Sequence, residues 1–169
     1  MSAAPEIVTR AEQPYVAIGA RVTMAELGGL ADRFPEVFGW LGVRGLTPAG
    51  PPFFKYNVID MARELEVEAG VPVAVAVAGD GEVVSGVLPP GRYATLTHQG
   101  YPSELVGATE ALLDWAAGQG LSWDASPDGS GERWGVRLEN YLTDPSQEPD
   151  MSKWLTELAS AWPTRAPAK

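Results

Sequence analysis

A chain of 169 residues, 45% hydrophobic and 20% charged, has the length and composition of one globular domain with a core of its own. It has no cysteine and one histidine, which excludes disulfides, thiolate chemistry and a histidine-rich metal centre; calcium-loop spacing is also missing, and no metal or cofactor is expected. The net charge of −10, with twelve basic residues scattered along the chain, argues against nucleic acid and favours cationic ligands, although acidity also serves solubility.

Tyr15–Val22 alternates and is rich in strand formers, which predicts a strand. Thr23 and Glu26 then stand three apart, as in a capping box. Leu27, Leu30, Phe34, Val37, Phe38 and Leu41 recur at helical spacing up to Gly42. Pro35 falls inside that stretch, so one kinked helix and two short ones fit equally well. Beyond a Gly/Pro-rich loop over 42–52, Phe53–Ile59 reads as a strand, and Leu65–Gly70 alternates before Val71–Val75.

The pattern then repeats. Val83–Leu88 and Gly91–His98 read as strands, and a helix starting near Pro102 or Ser103 carries Leu105, Thr109, Leu112, Leu113 and Ala116 on one face before Gly120 stops it. A polar, Gly-rich loop over 124–131 leads into a strand predicted from Trp134 to Thr143, and Trp154–Leu158 closes the chain. Strand-helix-strand-strand written twice predicts an α+β domain over residues 1–169, with module one at about 6–78 and module two at about 82–162. Its antiparallel sheet would carry two main helices on one side, and a pseudo-twofold would leave a ligand groove where the modules meet. A ferredoxin-like arrangement shares the local order but needs only one half.

The strand over Trp134–Thr143 holds a carboxylate, Glu139, near its middle. A charge is poorly suited to a strand interior, so Glu139 is either a solvent-facing residue on a wet sheet face or a functional group. Val136, Leu138 and Leu142 share one parity, whereas Arg137, Glu139, Tyr141 and Thr143 share the other. Helices covering the aliphatic parity would leave Glu139 and Tyr141 facing away from them, toward the groove.

Three segments, Gly91–Leu105, Leu113–Ala116 and Arg137–Pro145, resemble in order and spacing the GyrI-like small-molecule-binding family. That family includes effector-binding domains of the BmrR and Rob type and free-standing relatives. The resemblance covers nearly the whole chain and implies a central groove for bulky, aromatic, often cationic compounds, with an acidic floor at the position of Glu139. It implies aromatic walls as well, for which this chain offers Phe54, Tyr56, Trp40, Tyr93, Tyr101, Trp134 and Tyr141. His98, the single histidine, is a further candidate at a strand end.

The sequence has no helix-turn-helix and no basic segment, so direct DNA-binding regulation is not expected. The resemblance to that family implies three candidate functions. The first is a free-standing multidrug-type binding protein. The second is a hydrolase opening the cyclopropane of DNA-alkylating natural products and so conferring resistance, with Glu139 activating water and Tyr141, Tyr56 or His98 donating a proton; Glu104 and Glu110 are candidate second acids. The third is a partner-binding inhibitor. No apolar run approaches the roughly 20 residues that span a bilayer, and Met1–Glu6 lacks the regions of a signal peptide, so the expected location is the cytoplasm and the expected partner an aromatic or cationic small molecule.

Overall fold

The computed structural model describes residues 4–59, 64–120, 125–128, 131–134 and 136–161. In chain order its strands are β1 (Glu6–Arg10), β2 (Gln13–Val22), β3 (Phe53–Ile59), β4 (Leu65–Pro72), β5 (Val83–Leu88), β6 (Gly91–Gln99), β7 (Ala125–Asp128), β8 (Gly131–Trp134), β9 (Arg137–Tyr141) and β10 (Leu155–Ala161). The helices are α1 (Leu27–Ala31), α2 (Phe34–Val43) and α3 (Leu105–Gly118). Pro35 splits the first helical region: it sits in the first turn of α2, where a missing N–H costs no hydrogen bond. The Thr23–Glu26 capping box forms in both directions, and Gly120 leaves the turn after α3 at φ +74°, a conformation that glycine adopts without strain.

The chain is α+β, with one antiparallel sheet in the order β1-β6-β10-β9-β3-β4-β2-β5. Read outward from the β3–β9 seam, each side presents the strand after its helix, then its last strand, then its first. The outermost strands are exchanged: β1 of module one pairs with β6 of module two, and β5 of module two pairs with β2 of module one. That exchange forces the sheet to curl. Strands β1 and β2 stand six places apart in the order, about 29 Å on a flat sheet at normal strand spacing, yet Arg10 and Gln13 are three residue steps apart and span at most about 11 Å. The link from Leu88 in β5 to Gly91 in β6 imposes the same closure.

The inside of the curl is a single core that gathers Tyr15, Leu88, Tyr93, Phe53, Leu138 and Ala159 from strands at both ends of the order. Gly70 and Gly86 give way to its large rings: a Cβ at Gly70 would lie 2.6 Å from the Phe53 ring and one at Gly86 2.5 Å from Tyr15. The helices lie on the outer face. Val37 and Leu41 of α2 pack on Val16, Ile18 and Val71, while Leu105, Ala108 and Leu112 of α3 pack on Ala94, Leu96 and Leu158.

Two sequence expectations are corrected here. The helices cover the parity of Glu139, not that of Val136 and Leu138, which fills the inside of the curl. Both faces of these strands are covered, so an aliphatic parity does not reveal which side bears helices. The long strand from Trp134 to Thr143 is also two strands, and the preceding loop contains β7. Lys55 pairs with Leu138 and Val58 with Arg133, so three steps along β3 face five along the partner, and the two extra residues separate β8 from β9. Strand β1 carries no signal clear enough to be read in advance.

Candidate functional site

The seam between the modules places the chemistry. Phe54 on β3 pairs directly with Glu139 on β9. The correspondence that takes Phe54 to Glu139 takes Tyr56 to Tyr141, Ala69 to Leu158 and Tyr15 to Tyr93, as the pairing registers of both halves require. Tyr56 and Tyr141 are thus counterparts related by the pseudo-twofold, and both donate to the same oxygen: Tyr56 Oη to Glu139 Oε1 at 2.8 Å and Tyr141 Oη to Glu139 Oε1 at 2.7 Å. Oε2 has no hydrogen-bond partner among the described residues. Such short hydroxyl-to-carboxylate bonds are charge-assisted and fix the carboxylate plane.

An aromatic wall borders the clamp. Phe34, at the start of α2, stacks on Phe54 with centroids 5.5 Å apart and meets the edge of Tyr141 at 6.2 Å; Phe54 in turn lies edge-on to Tyr141 at 5.5 Å. On the other side, Thr109, Leu112 and Leu113 of α3 line a cleft with Glu139, Arg137 and Ser160, whose free volume is only about 10 Å³. Burial pushes the Glu139 carboxyl above the ordinary carboxylate range, and the two hydroxyl donors and the Arg137 charge offset this only in part. Burial first, and the Glu139 charge second, push both tyrosine hydroxyls well above their usual range, so they act as donors and stay protonated.

Of the candidates named from sequence, Glu139, Tyr141, Tyr56 and Phe54 come together here. Trp40, on α2, packs against the cluster of Val16, Ile18 and Val71, with Arg44 stacked 3.7 Å over its ring. Tyr93 belongs to the inside of the curl, donating to the Pro89 carbonyl at 2.6 Å. Tyr101 is exposed at the turn before α3, and buried His98 lies 3.1 Å from Glu104, whose carboxylate also accepts from the Tyr101 amide. Glu110 is exposed on α3. Trp134 ends β8, and its side chain lies outside the described part of the structure. For Tyr93 and His98 the local reason is their strand: β6 is separated from the seam by β10 and β9, and Trp40 and Tyr101 lie off the sheet.

Sequence reading missed Phe34 and Arg137 as site residues. Phe34 counted as one more apolar residue in a helix; its place beside Pro35, where one helix ends and another begins, is the signal that sets it apart. Among the described residues no cluster of three or more His, Asp or Glu could hold a metal ion, and no helix is long and apolar enough to cross a membrane.

The sequence profile of the GyrI-like small molecule binding domain matches residues 3–158. The chain belongs to the GyrI-like family. This GyrI-like chain superposes on the EcmrR C-terminal domain with a TM-score of 0.77 at 17% identity, covering 96% of this chain and 98% of that one. On EcmrR in its DNA complex the TM-score is 0.78 at 17% identity; 93% of this chain is covered, and it spans 56% of that longer chain. SAV2435 bound to tetraphenylphosphonium matches at 0.60 and 12% identity over 94% of this chain and 93% of that one, and a hydrolase from Listeria innocua at 0.63 and 15% over 92% and 90%. At these identities the likeness is one of fold. No curated protein matches the chain.

Proposed function

We propose that this GyrI-like chain binds bulky aromatic cations at the module seam, with Glu139 as the charge that receives them. The observation that carries this reading is the clamp: one carboxylate, held through Oε1 by two tyrosines, with Oε2 unpaired among the described residues and Phe34, Phe54 and Tyr141 beside it. A delocalised cation gains from both partners, since the rings supply stacking and cation–π attraction while the carboxylate supplies charge in a poorly hydrated site. A cleft of about 10 Å³ scarcely admits a water, so a ligand enters it only as the α3 side chains Thr109, Leu112 and Leu113 move away from Glu139. The binding of tetraphenylphosphonium by SAV2435, a protein of the same fold, supports the class of ligand.

Calorimetric titration with tetraphenylphosphonium tests the proposal. Wild type is expected to bind, and Glu139→Gln, which keeps shape and removes charge, to weaken binding by roughly tenfold or more, the scale of a charge pair in a partly desolvated site. Glu104→Gln, at an exposed carboxylate away from the seam, should leave affinity unchanged. Equal affinity in wild type and Glu139→Gln sinks the idea.

A second reading rests on the raised proton affinity of the same carboxylate, which suits a general base. On a cyclopropane conjugated to a dienone, a water held at Oε2 would form the new C–O bond and pass its proton to Glu139. The breaking cyclopropane C–C bond would send its electron pair to the dienone oxygen, which becomes a phenol on taking that proton. The hydrolase from Listeria innocua shares the fold. Mass spectrometry of such a substrate decides between the readings: a ring-opened product of plus one water, lost in Glu139→Gln, establishes hydrolysis, and unchanged substrate leaves binding alone.

A further inference from the structure

A second cavity lies on the other face of the same strands. It occupies about 430 Å³ at one mouth of the curled sheet, between the β1–β2 link at Ala11 and Glu12 and the loop at Ala49 to Pro51. Phe53, Leu88, Tyr93 and Leu138, all buried, form its floor. A polar group stands over that floor. Arg10 Nη2 donates to both Glu157 oxygens at 2.8 Å, the Asn140 amide donates to Glu157 Oε1 at 3.1 Å, and the guanidinium sits 5.9 Å above the Tyr93 ring.

We infer that this cavity is a second small-molecule site, for a flat, uncharged aromatic compound that carries a carbonyl acceptor. Its volume lies within the usual range for such sites, roughly 300–1,000 Å³, and the seam cleft does not. Charge defines the class of ligand. Glu157 cancels Arg10, so a cation meets the guanidinium and an anion meets Glu157 and the nearby Glu12, while a neutral molecule opposes neither. The guanidinium spends only Nη2 on Glu157; Nε and Nη1 have no partner among the described residues and are in reach of solvent, with the side chain 35% exposed. Those N–H groups, held in a fixed plane by Glu157 and Tyr93, are suited to one carbonyl oxygen while the ligand ring lies on Phe53 and Leu88. Strand β9 thereby serves two sites, with Leu138 and Asn140 pointing inward and Glu139 outward.

Acridone, a planar, neutral and fluorescent ketone, is the probe. Fluorescence anisotropy with the full chain is expected to give saturable binding. Arg10→Met should weaken it by roughly tenfold or more, the loss expected for one hydrogen bond from a charged donor. Leu142→Trp, at an exposed mouth residue where an indole cannot disturb the core, should weaken it comparably without changing the thermal midpoint. Glu139→Gln should leave acridone affinity within about twofold of wild type, whether or not that protein binds tetraphenylphosphonium, so the seam and the inner cavity are judged separately. Carbon-13 methyl spectra should shift at Leu88 and not at Leu113. Absence of saturable binding, loss of binding in Glu139→Gln, or indifference to both Arg10→Met and Leu142→Trp overturns the inference.

Discussion

The two modules meet with the same hydroxyls and different floors. Tyr56 and Tyr141 are counterparts, yet where module two places Glu139, module one places Phe54. The difference has a physical logic. With phenylalanine in both places, two largely buried hydroxyls would lose their common acceptor, at about 1–3 kcal/mol each. With glutamate in both, two carboxylates would face each other across one antiparallel pair with Cβ atoms about 5 Å apart, and one would have to stay protonated. A single acid in the pair satisfies both tyrosines, and it leaves the ring of Phe54 to complete the wall with Phe34. A duplicated scaffold supplies paired donors, and divergence at one position supplies the charge.

Phe54→Glu breaks that arrangement most severely. It removes a buried ring, 4% exposed and stacked on Phe34, and sets a second carboxylate opposite Glu139. Urea unfolding at pH 8 should show a loss of about 3–5 kcal/mol from the ring alone, with the like-charge repulsion added. At pH 4 the repulsion is relieved and the loss should be smaller; equal losses at both pH values would mean that the two carboxylates do not face each other.

Tyr56→Phe and Tyr141→Phe probe the symmetry itself. Each removes one of two equivalent donors to Oε1, so each should cost about 1–3 kcal/mol at pH 8 and less at pH 4, where the carboxyl is protonated. Because both hydroxyls pull the Glu139 proton affinity down, either variant should raise the pH at which tetraphenylphosphonium binding sets in. A large effect in one and none in the other would show that the clamp rests on a single tyrosine.

Much of this was legible in advance, for reasons that differ by residue. The alternation of Tyr15–Val22, the strand formers of Phe53–Ile59, the 3.6-residue spacing of Leu105, Leu112 and Ala116, and the stop at Gly120 are local signals, and the structure places strands and helices there; α2 runs past Gly42 to Val43, and Gly45 takes the left-handed turn at φ +68°. Glu139 and Tyr141 share a parity that sequence also displays. Which face bears the helices was not legible, because Leu138 is buried inside a curl that exists only through the exchange of β1 and β5, a pairing between residues far apart in the chain. Trp40, Tyr93 and Tyr101 looked equivalent to Tyr56 as aromatics. Register separates Tyr56 at the seam from Tyr93 in the inner core, whereas Trp40 and Tyr101 lie off the sheet, on α2 and in the turn before α3.

Glu139→Gln should have the smallest effect on stability, and its sign is the informative part. The folded-state proton affinity of Glu139 is raised above its unfolded value, with burial as the largest cause. Folding therefore takes up a proton, and the stability linked to this group is fully present below the ordinary carboxylate range and is lost as pH rises through the raised folded value. Above that value wild type carries a desolvated charge, and the neutral amide does not. At pH 4 the variant and wild type should unfold at nearly the same urea concentration; at pH 8 the variant should be the more stable. Tetraphenylphosphonium should reverse that order, because a bound cation returns what burial costs the ionised carboxylate, and it should stabilise wild type more at pH 8 than at pH 4. A variant less stable than wild type at pH 8 without ligand would mean that the hydroxyl clamp outweighs burial, and that Glu139 is held ionised for structure and not poised for a ligand.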